Sequence, residues 1–156
     1  MSTERLTPPA TAGRGGRHEP AVKWIWRAWI AGVGLACFVW LASESRETTW
    51  ALLLGAALAA TLGIPTAARR VAAGPPGARR VAAAGVAGLT LGALVPVLAA
   101  GLMLVKVSLH GHLPPDFLPA DLIVVLGRIP AWAIGGGLLG VAAASAAARR
   151  GAPPEP

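Results

Sequence analysis

Long apolar stretches alternate with short polar segments along this chain. Residues 24–41, 50–68, 81–105 and 130–148 form the apolar stretches, and charged side chains gather outside them or at their ends. A transmembrane helix needs about 20 mostly apolar residues, which each stretch nearly or fully supplies. The pattern predicts an all-α polytopic membrane protein, a bundle of four transmembrane helices arranged as two antiparallel hairpins.

The polar segments between these spans predict the turns. Residues 43–49 are short enough to join the first two spans as a tight hairpin, and a Gly-Pro-Pro-Gly sequence at 74–77 stops helices between the two hairpins. Residues 106–121 are expected to form a longer, proline-containing loop. The apolar residues 122–126 are too few to span a bilayer, so we expect an interfacial turn there, with Asp121 as its N-cap.

The two ends of the chain lack apolar periodicity. Residues 1–20 are rich in Pro, Gly, Thr and Arg, and such a segment cannot bury enough surface to offset the entropy of ordering. We expect a disordered cytoplasmic tail there and a second, short tail at 151–156. Between the tails, residues 21–150 form a single domain that contains all four spans.

The distribution of basic residues predicts the orientation of the bundle. Of the 14 Lys and Arg residues, only Arg46, Lys106 and Arg128 fall on the side of the first and third connecting segments. Cytoplasmic loops carry the excess of Lys and Arg in membrane proteins, so both termini and the middle loop are predicted to be cytoplasmic. Arg27 and Lys106 lie near span ends, where long side chains are expected to reach water without a buried partner.

Composition agrees with a membrane location. The chain is 54% hydrophobic and 13% charged, whereas soluble domains are about 25% charged. Its 6 Trp residues fall near the span ends, where indole rings prefer the headgroup level. The net charge of +7 does not predict a nucleic-acid partner, because the basic residues flank apolar stretches. We expect a multi-pass protein of the cell membrane, with the lipid bilayer as its first partner.

Small residues recur four positions apart in every span, for example Ala28, Gly32 and Ala36 in the first. Such faces let helix backbones approach closely, which is how membrane helices associate. Ala and Gly are so frequent here that the spacing alone does not identify which helices pair. Packing positions are predicted in the third and fourth spans, at Gly88, Gly92, Gly136 and Gly140.

Reactive motifs are absent from the sequence, which contains no Gly-rich phosphate loop, no His-Glu-x-x-His and no CxxC. We therefore expect no enzymatic activity and no cofactor. One polar cluster, His110, His112 and Asp116, is a candidate metal or partner contact. Alternate residues of an extended segment point the same way, and imidazole and carboxylate groups bind zinc and copper. A solvated loop is the alternative interpretation.

Four arginines flank the predicted middle loop as two pairs, Arg69 with Arg70 and Arg79 with Arg80. Basic side chains at a membrane surface gain about 1 kcal/mol each from anionic lipid headgroups. The same residues also serve as topology determinants. The sequence predicts both roles and does not separate them.

Abundant helix-packing surface and few reactive groups favour a small non-enzymatic membrane protein that acts by helix packing. It would be an accessory or scaffold subunit of a membrane complex, or a homo-oligomer. A small transporter or channel working as an oligomer is the alternative, although no span has an Asp, Glu, His or Lys near its centre, where such groups mark ion and proton pathways. An extracytoplasmic metal-binding membrane protein is the third hypothesis.

Overall fold

The computed structural model describes residues 19–43, 45–74, 77–111 and 117–150, which are helical apart from short connections. Its helices are α1 (Glu19–Ala42), α2 (Thr48–Ala73), α3 (Ala78–His110), α4 (Pro119–Leu126) and α5 (Ile129–Arg150). Four helical stretches are long and apolar enough to cross a membrane, with α4 and α5 counted as one. The prediction of an all-helical chain with four candidate spans is confirmed for the described residues, and it indicates a membrane protein.

The helices extend beyond the apolar stretches that predicted them. α1 begins at Glu19, within the predicted tail, while residues 1–18 and 151–156 lie outside the described residues. α2 continues to Ala73 and α3 begins at Ala78, so both arginine pairs belong to helices. Arginine interrupts the apolar pattern without interrupting the helix, because its helix propensity is high.

α3 is the longest helix, with 33 residues, or about 50 Å at 1.5 Å per residue. The prediction that a loop begins at Lys106 is wrong, because α3 runs past Lys106 to His110. Gly111 then ends the helix with a φ of 57°, and its N–H donates to the carbonyl of Val107. This left-handed conformation suits glycine, which has no Cβ to collide with the backbone.

A short helix, α4, occupies the region predicted to be an interfacial turn. Asp121 is not its N-cap, contrary to prediction. Pro119 begins the helix, and Asp121 lies in the first turn, where its Oδ2 accepts a hydrogen bond from the N–H of Leu118 at 2.8 Å. Proline fits at this position because the first N–H groups of a helix have no partner within it. Gly127 and Arg128 form the turn into α5.

α3 lies between α2 and α5 and packs closely against both. It runs antiparallel to α5, since Gly88 meets Gly136 where Gly92 meets Trp132. α1 makes far fewer contacts with α2 and α3 than these helices make with one another. The folded unit is therefore a three-helix layer of α2, α3 and α5, with α1 attached on one side.

The two ends of the bundle differ in chemistry. We call one the arginine end; it contains Arg69, Arg70, Arg79, Arg80, Arg149 and Arg150. The opposite end, the Lys106 end, contains the α1–α2 turn and α4. The buried apolar core is concentrated toward the Lys106 end, where Leu52, Met103, Phe117 and Val125 pack together. The arginine half of the bundle is more open.

Candidate functional site

Lys106 is fully buried, with 0% of its surface exposed. Its Nζ donates hydrogen bonds to the carbonyl oxygen of Trp40 at 3.1 Å and to that of Ser45 at 2.7 Å. The same nitrogen lies 4.4 Å from the centre of the Trp40 ring, where a cation is attracted by the π-electron face. The expectation that Lys106 reaches water without a buried partner is therefore wrong.

The path of α3 explains the burial of Lys106. Because the helix continues for another turn, the side chain leaves it toward α1 rather than toward a loop. Trp40 lies in the last turn of α1, where carbonyl groups lack partners further along the helix and favour a nearby cation. Its carbonyl also accepts from Ser43 Oγ at 2.8 Å. Lys106 thus ties the end of α1 and the following turn to α3.

The ring of Trp40 is buried against protein, with 6% of the residue exposed. Phe117 stacks on it with ring centroids 6.1 Å apart and an interplanar angle of 28°. The Nε1–H of Trp40 has no hydrogen-bond partner among the described residues. Lys106, Trp40 and Phe117 form a compact cluster that closes the Lys106 end of the bundle.

The predicted metal or partner contact is only partly within the described residues. His110 occupies the last turn of α3, and its Nδ1 donates to the carbonyl of Lys106 at 3.0 Å. It is therefore helical rather than part of an extended segment. His112 and Asp116 lie outside the described residues. Within the ranges that the structure describes, no three His, Cys, Asp or Glu side chains are grouped to hold a metal ion.

The arginine pairs predicted to contact lipid headgroups differ in their bonds. Arg80 donates from one guanidinium nitrogen to the carbonyls of Ala72 at 3.3 Å and Gly74 at 3.2 Å, and so holds the end of α2 against the start of α3. The Nε of Arg69 donates to the carbonyl of Pro65 at 3.2 Å. Arg70 and Arg79 are exposed and make no hydrogen bond within the described chain.

The predicted packing glycines all lie where α3 meets α5. A Cβ added at Gly88 would meet the carbonyl of Gly136, and one at Gly92 would meet the carbonyl of Trp132. A Cβ at Gly140 would meet the carbonyl of Ala84. These obstacles are backbone atoms, which cannot rotate away as a flexible side chain can. The two helices therefore touch backbone to backbone along about three turns, in the manner by which small residues bring membrane helices together.

α2 and α3 meet through a second close contact. A Cβ at Gly55 would lie 2.6 Å from the carbonyl oxygen of Val95 and 3.0 Å from the amide nitrogen of Ala99. Nearer the arginine end, Gly63 faces only the end of the Leu91 side chain, which can move. The α2–α3 contact is thus closest in its Lys106 half and looser toward the arginine end.

The small-residue face of α1 has no such neighbour. Ala28, Gly32 and Ala36 border an open cleft of about 310 Å³ between α1 and α2, which we call the α1 notch. A Cβ added at Gly32 would meet nothing within 4 Å. Beside the notch, Trp29 Nε1 donates a hydrogen bond to Thr61 Oγ1 at 2.8 Å. The same four-residue spacing that closes the α3–α5 contact leaves the α1 face uncovered.

Sequence reasoning missed the Lys106–Trp40 cluster. One signal for it was present: Lys106 follows an uninterrupted apolar run, and Trp40 precedes a turn that is short enough to bring α1 near α2 and α3. The apolar pattern did not predict how far α3 extends, and the extent of α3 determines the direction in which the Lys106 side chain points.

Comparison of the chain with family models, with curated proteins and with solved structures finds no match in any of the three.

Proposed function

We propose that this protein is a small, non-enzymatic integral membrane protein that acts by packing α1 against a transmembrane helix of another membrane protein or of a second copy of itself. The observation that carries this proposal is the α1 notch, where a small-residue helix face borders an open cleft and a Cβ at Gly32 would meet nothing within 4 Å. Within the chain, α3 and α5 use the same kind of small-residue face to bring their backbones into contact.

The exposure of α1 supports this role. Only 11% of the residues in its most apolar 18-residue stretch are buried, and large apolar side chains such as Trp24, at 70% exposure, face outward. Lipid chains surround such apolar side chains as favourably as protein does, so exposed bulky residues alone do not predict a protein partner. A glycine face is different, because a helix that fits it gains van der Waals contacts that lipid chains make less completely.

We further propose a cell-membrane location with both termini and the arginine end in the cytoplasm. The excess of Lys and Arg at that end supports this orientation. A cytoplasm-active reporter fused after Arg80 or Arg150 should be active, and one fused after Glu47 or Asp116 inactive. The reverse pattern would invert the orientation, and a mixture would mean that the number of membrane crossings is not four.

The helix-binding proposal is tested by cysteine cross-linking in native membranes, in a background where Cys37, the single cysteine, is replaced by Ala. Gly32→Cys places a thiol in the notch, and Gly34→Cys places one on another side of α1. Both glycines have open space around the position of a Cβ, so neither change disturbs the fold. We expect cross-linking of a protein partner at 32 and little at 34.

Repeating the cross-linking with the purified chain in liposomes distinguishes the two kinds of partner. A covalent dimer through position 32 identifies a homo-oligomer, whereas a product formed only in native membranes identifies a different protein. Equal cross-linking at 32 and 34, or none at either, would contradict the proposal. A solute flux that requires the chain in proteoliposomes would instead assign it to the transporters and channels.

A further inference from the structure

A large apolar groove, separate from the α1 notch, runs along α2, α3 and α5. α3 forms its floor, and α2 and α5 form its walls, enclosing about 810 Å³. Most of the lining residues are Ala or Gly, among them Ala60, Gly88, Gly135 and Ala143. The groove and the notch share no lining residue.

The dimensions of the groove match a long, thin ligand. On α2 the lining extends from Ala56 to Val71, about 22 Å at 1.5 Å per residue. The hydrocarbon core of one leaflet is about half of the 30 Å of a bilayer. The groove is therefore long enough to hold an extended acyl chain over the full depth of a leaflet.

One end of the groove opens among arginines. Val71, which lines it, directly follows Arg70, and Ala143, which also lines it, lies about two turns before Arg150 on the same face of α5. Arg70, Arg79, Arg149 and Arg150 are exposed, and their side chains form no hydrogen bond or ion pair with the part of the chain that the structure describes. They differ from Arg80, whose guanidinium is engaged with the end of α2.

We propose that the groove binds one anionic phospholipid of the leaflet that borders the arginine end, with an acyl chain in the groove and the headgroup phosphate held by Arg70 and Arg150. A guanidinium offers paired donors that fit two phosphate oxygens. The apolar lining excludes water from the chain, and each buried methylene contributes to binding. The two halves of the ligand thus match the two halves of the site.

The charge of the groove mouth favours a lipid over a protein helix. Transmembrane helices usually carry Lys or Arg on their cytoplasmic flank, and a second copy of this chain would bring the same arginines. Either occupant would place like charges together at the arginine end, where six arginines already gather. An anionic headgroup neutralises them.

The test is lipid retention by the purified full chain, measured by native mass spectrometry after release from detergent micelles. Dioleoyl phosphatidylglycerol and dioleoyl phosphatidylcholine are the probes, because they have identical acyl chains and differ in headgroup charge. We expect at least tenfold preferential retention of phosphatidylglycerol. Arg70→Gln and Arg150→Gln should each reduce the preference about fivefold, while Arg128→Gln, at the Lys106 end, should leave it unchanged.

The acyl-chain half of the site is tested by filling the groove. Gly135→Leu projects a side chain into open space, so the helix contacts remain, and retention of both lipids should fall at least tenfold. Gly34→Leu, on α1, is the matched control. If Gly135→Leu failed to fold, Ala60→Leu would fill the groove from the other wall.

Several results would overturn the lipid proposal. Equal retention of the two lipids by the native chain would exclude headgroup recognition. Undiminished retention of phosphatidylglycerol by the filled variants would exclude the groove as the site. A lipid-free dimer that Gly135→Leu dissociates would identify a second copy of the chain as the occupant.

Discussion

The α3–α5 contact and the α1 notch are built from the same types of residue, but the first is closed and the second is open. Both helix faces have small residues four positions apart, yet Gly88 and Gly136 touch through their backbones while Gly32 faces open space. A small-residue spacing therefore permits close packing without causing it. Closure also requires that no bulky side chain stand between the two helices.

We attribute the difference to Trp29. This residue is 45% exposed, and its indole bridges α1 and α2 by a hydrogen bond to Thr61; a side chain of that size at the edge of the cleft opposes close approach of the two backbones. Where Gly88, Gly92, Gly136 and Gly140 meet α3 or α5, the nearest atoms opposite them belong to the facing backbone. α1 is therefore attached at points, by Lys106 and by Trp29, whereas α5 is attached along its length.

The largest expected effect comes from breaking the closed contact. Gly136→Leu forces a side chain into the backbone of Gly88 and should lower the free energy of unfolding by about 3 kcal/mol or more. Gly135→Ala is the control, because its Cβ enters open space and alanine has the higher helix propensity. Unfolding in mixed micelles of increasing SDS content measures both. Equal effects of the two changes would mean that the glycines reflect composition rather than packing.

The exposed Leu138 of α5 provides a second comparison with Gly136. Leu138 is 67% exposed and lies outside the closed contact, so Leu138→Ala should change the free energy of unfolding by less than about 0.5 kcal/mol. A loss comparable to that of Gly136→Leu would show that α5 has a bulky contact on its outer side.

Removing the attachment of α1 is expected to have an intermediate effect. Lys106→Met leaves the carbonyl of Ser45 unpaired and removes the cation from the Trp40 ring, so the free energy of unfolding should fall by about 2 kcal/mol. Arg128→Met, an exposed basic residue at the same end, is the control. Proteolysis in the α1–α2 turn should also become faster in Lys106→Met, because that turn loses its tie to α3. Unchanged stability and cleavage would mean that the cluster does not hold α1.

The Trp29–Thr61 hydrogen bond should contribute less. Trp29→Phe and Thr61→Val each remove it, and the coupling between them in a double-mutant cycle should be about 0.5–1.5 kcal/mol. The coupling is the informative quantity, since Thr61 Oγ1 also donates to the carbonyl of Ala57 at 2.7 Å and the single change breaks that bond too. A coupling near zero would leave the steric effect of the indole as the only role of Trp29.

The smallest change tests the open face. Gly32→Ala adds a methyl group where nothing lies within 4 Å, so the isolated protein should become more stable by up to about 1 kcal/mol through helix propensity alone. Destabilisation of the isolated chain would show that α1 closes on α2 in the membrane.

The sequence by itself determined the helices. Apolar runs of membrane-spanning length and the Gly-Pro-Pro-Gly break predicted four long helices, because these are properties of each segment alone. Helix ends were less predictable: Arg70 and Lys106 ended the apolar pattern but not the hydrogen-bonded helix. Asp121 was predicted to be the N-cap of α4 but lies in its first turn. The sequence does not separate the two positions, because a carboxylate can accept a hydrogen bond from a free backbone N–H at either one.

Only the tertiary structure decided how the helices use their surfaces. Gly32 and Gly136 are equivalent in sequence, and which one touches a backbone depends on the side chain that stands beside it. Lys106 was expected at the membrane surface, and its burial depends on the course of α3 and on carbonyls contributed by α1 and the turn. Such contacts join residues more than 60 positions apart, and local patterns carry no information about which distant segments will meet.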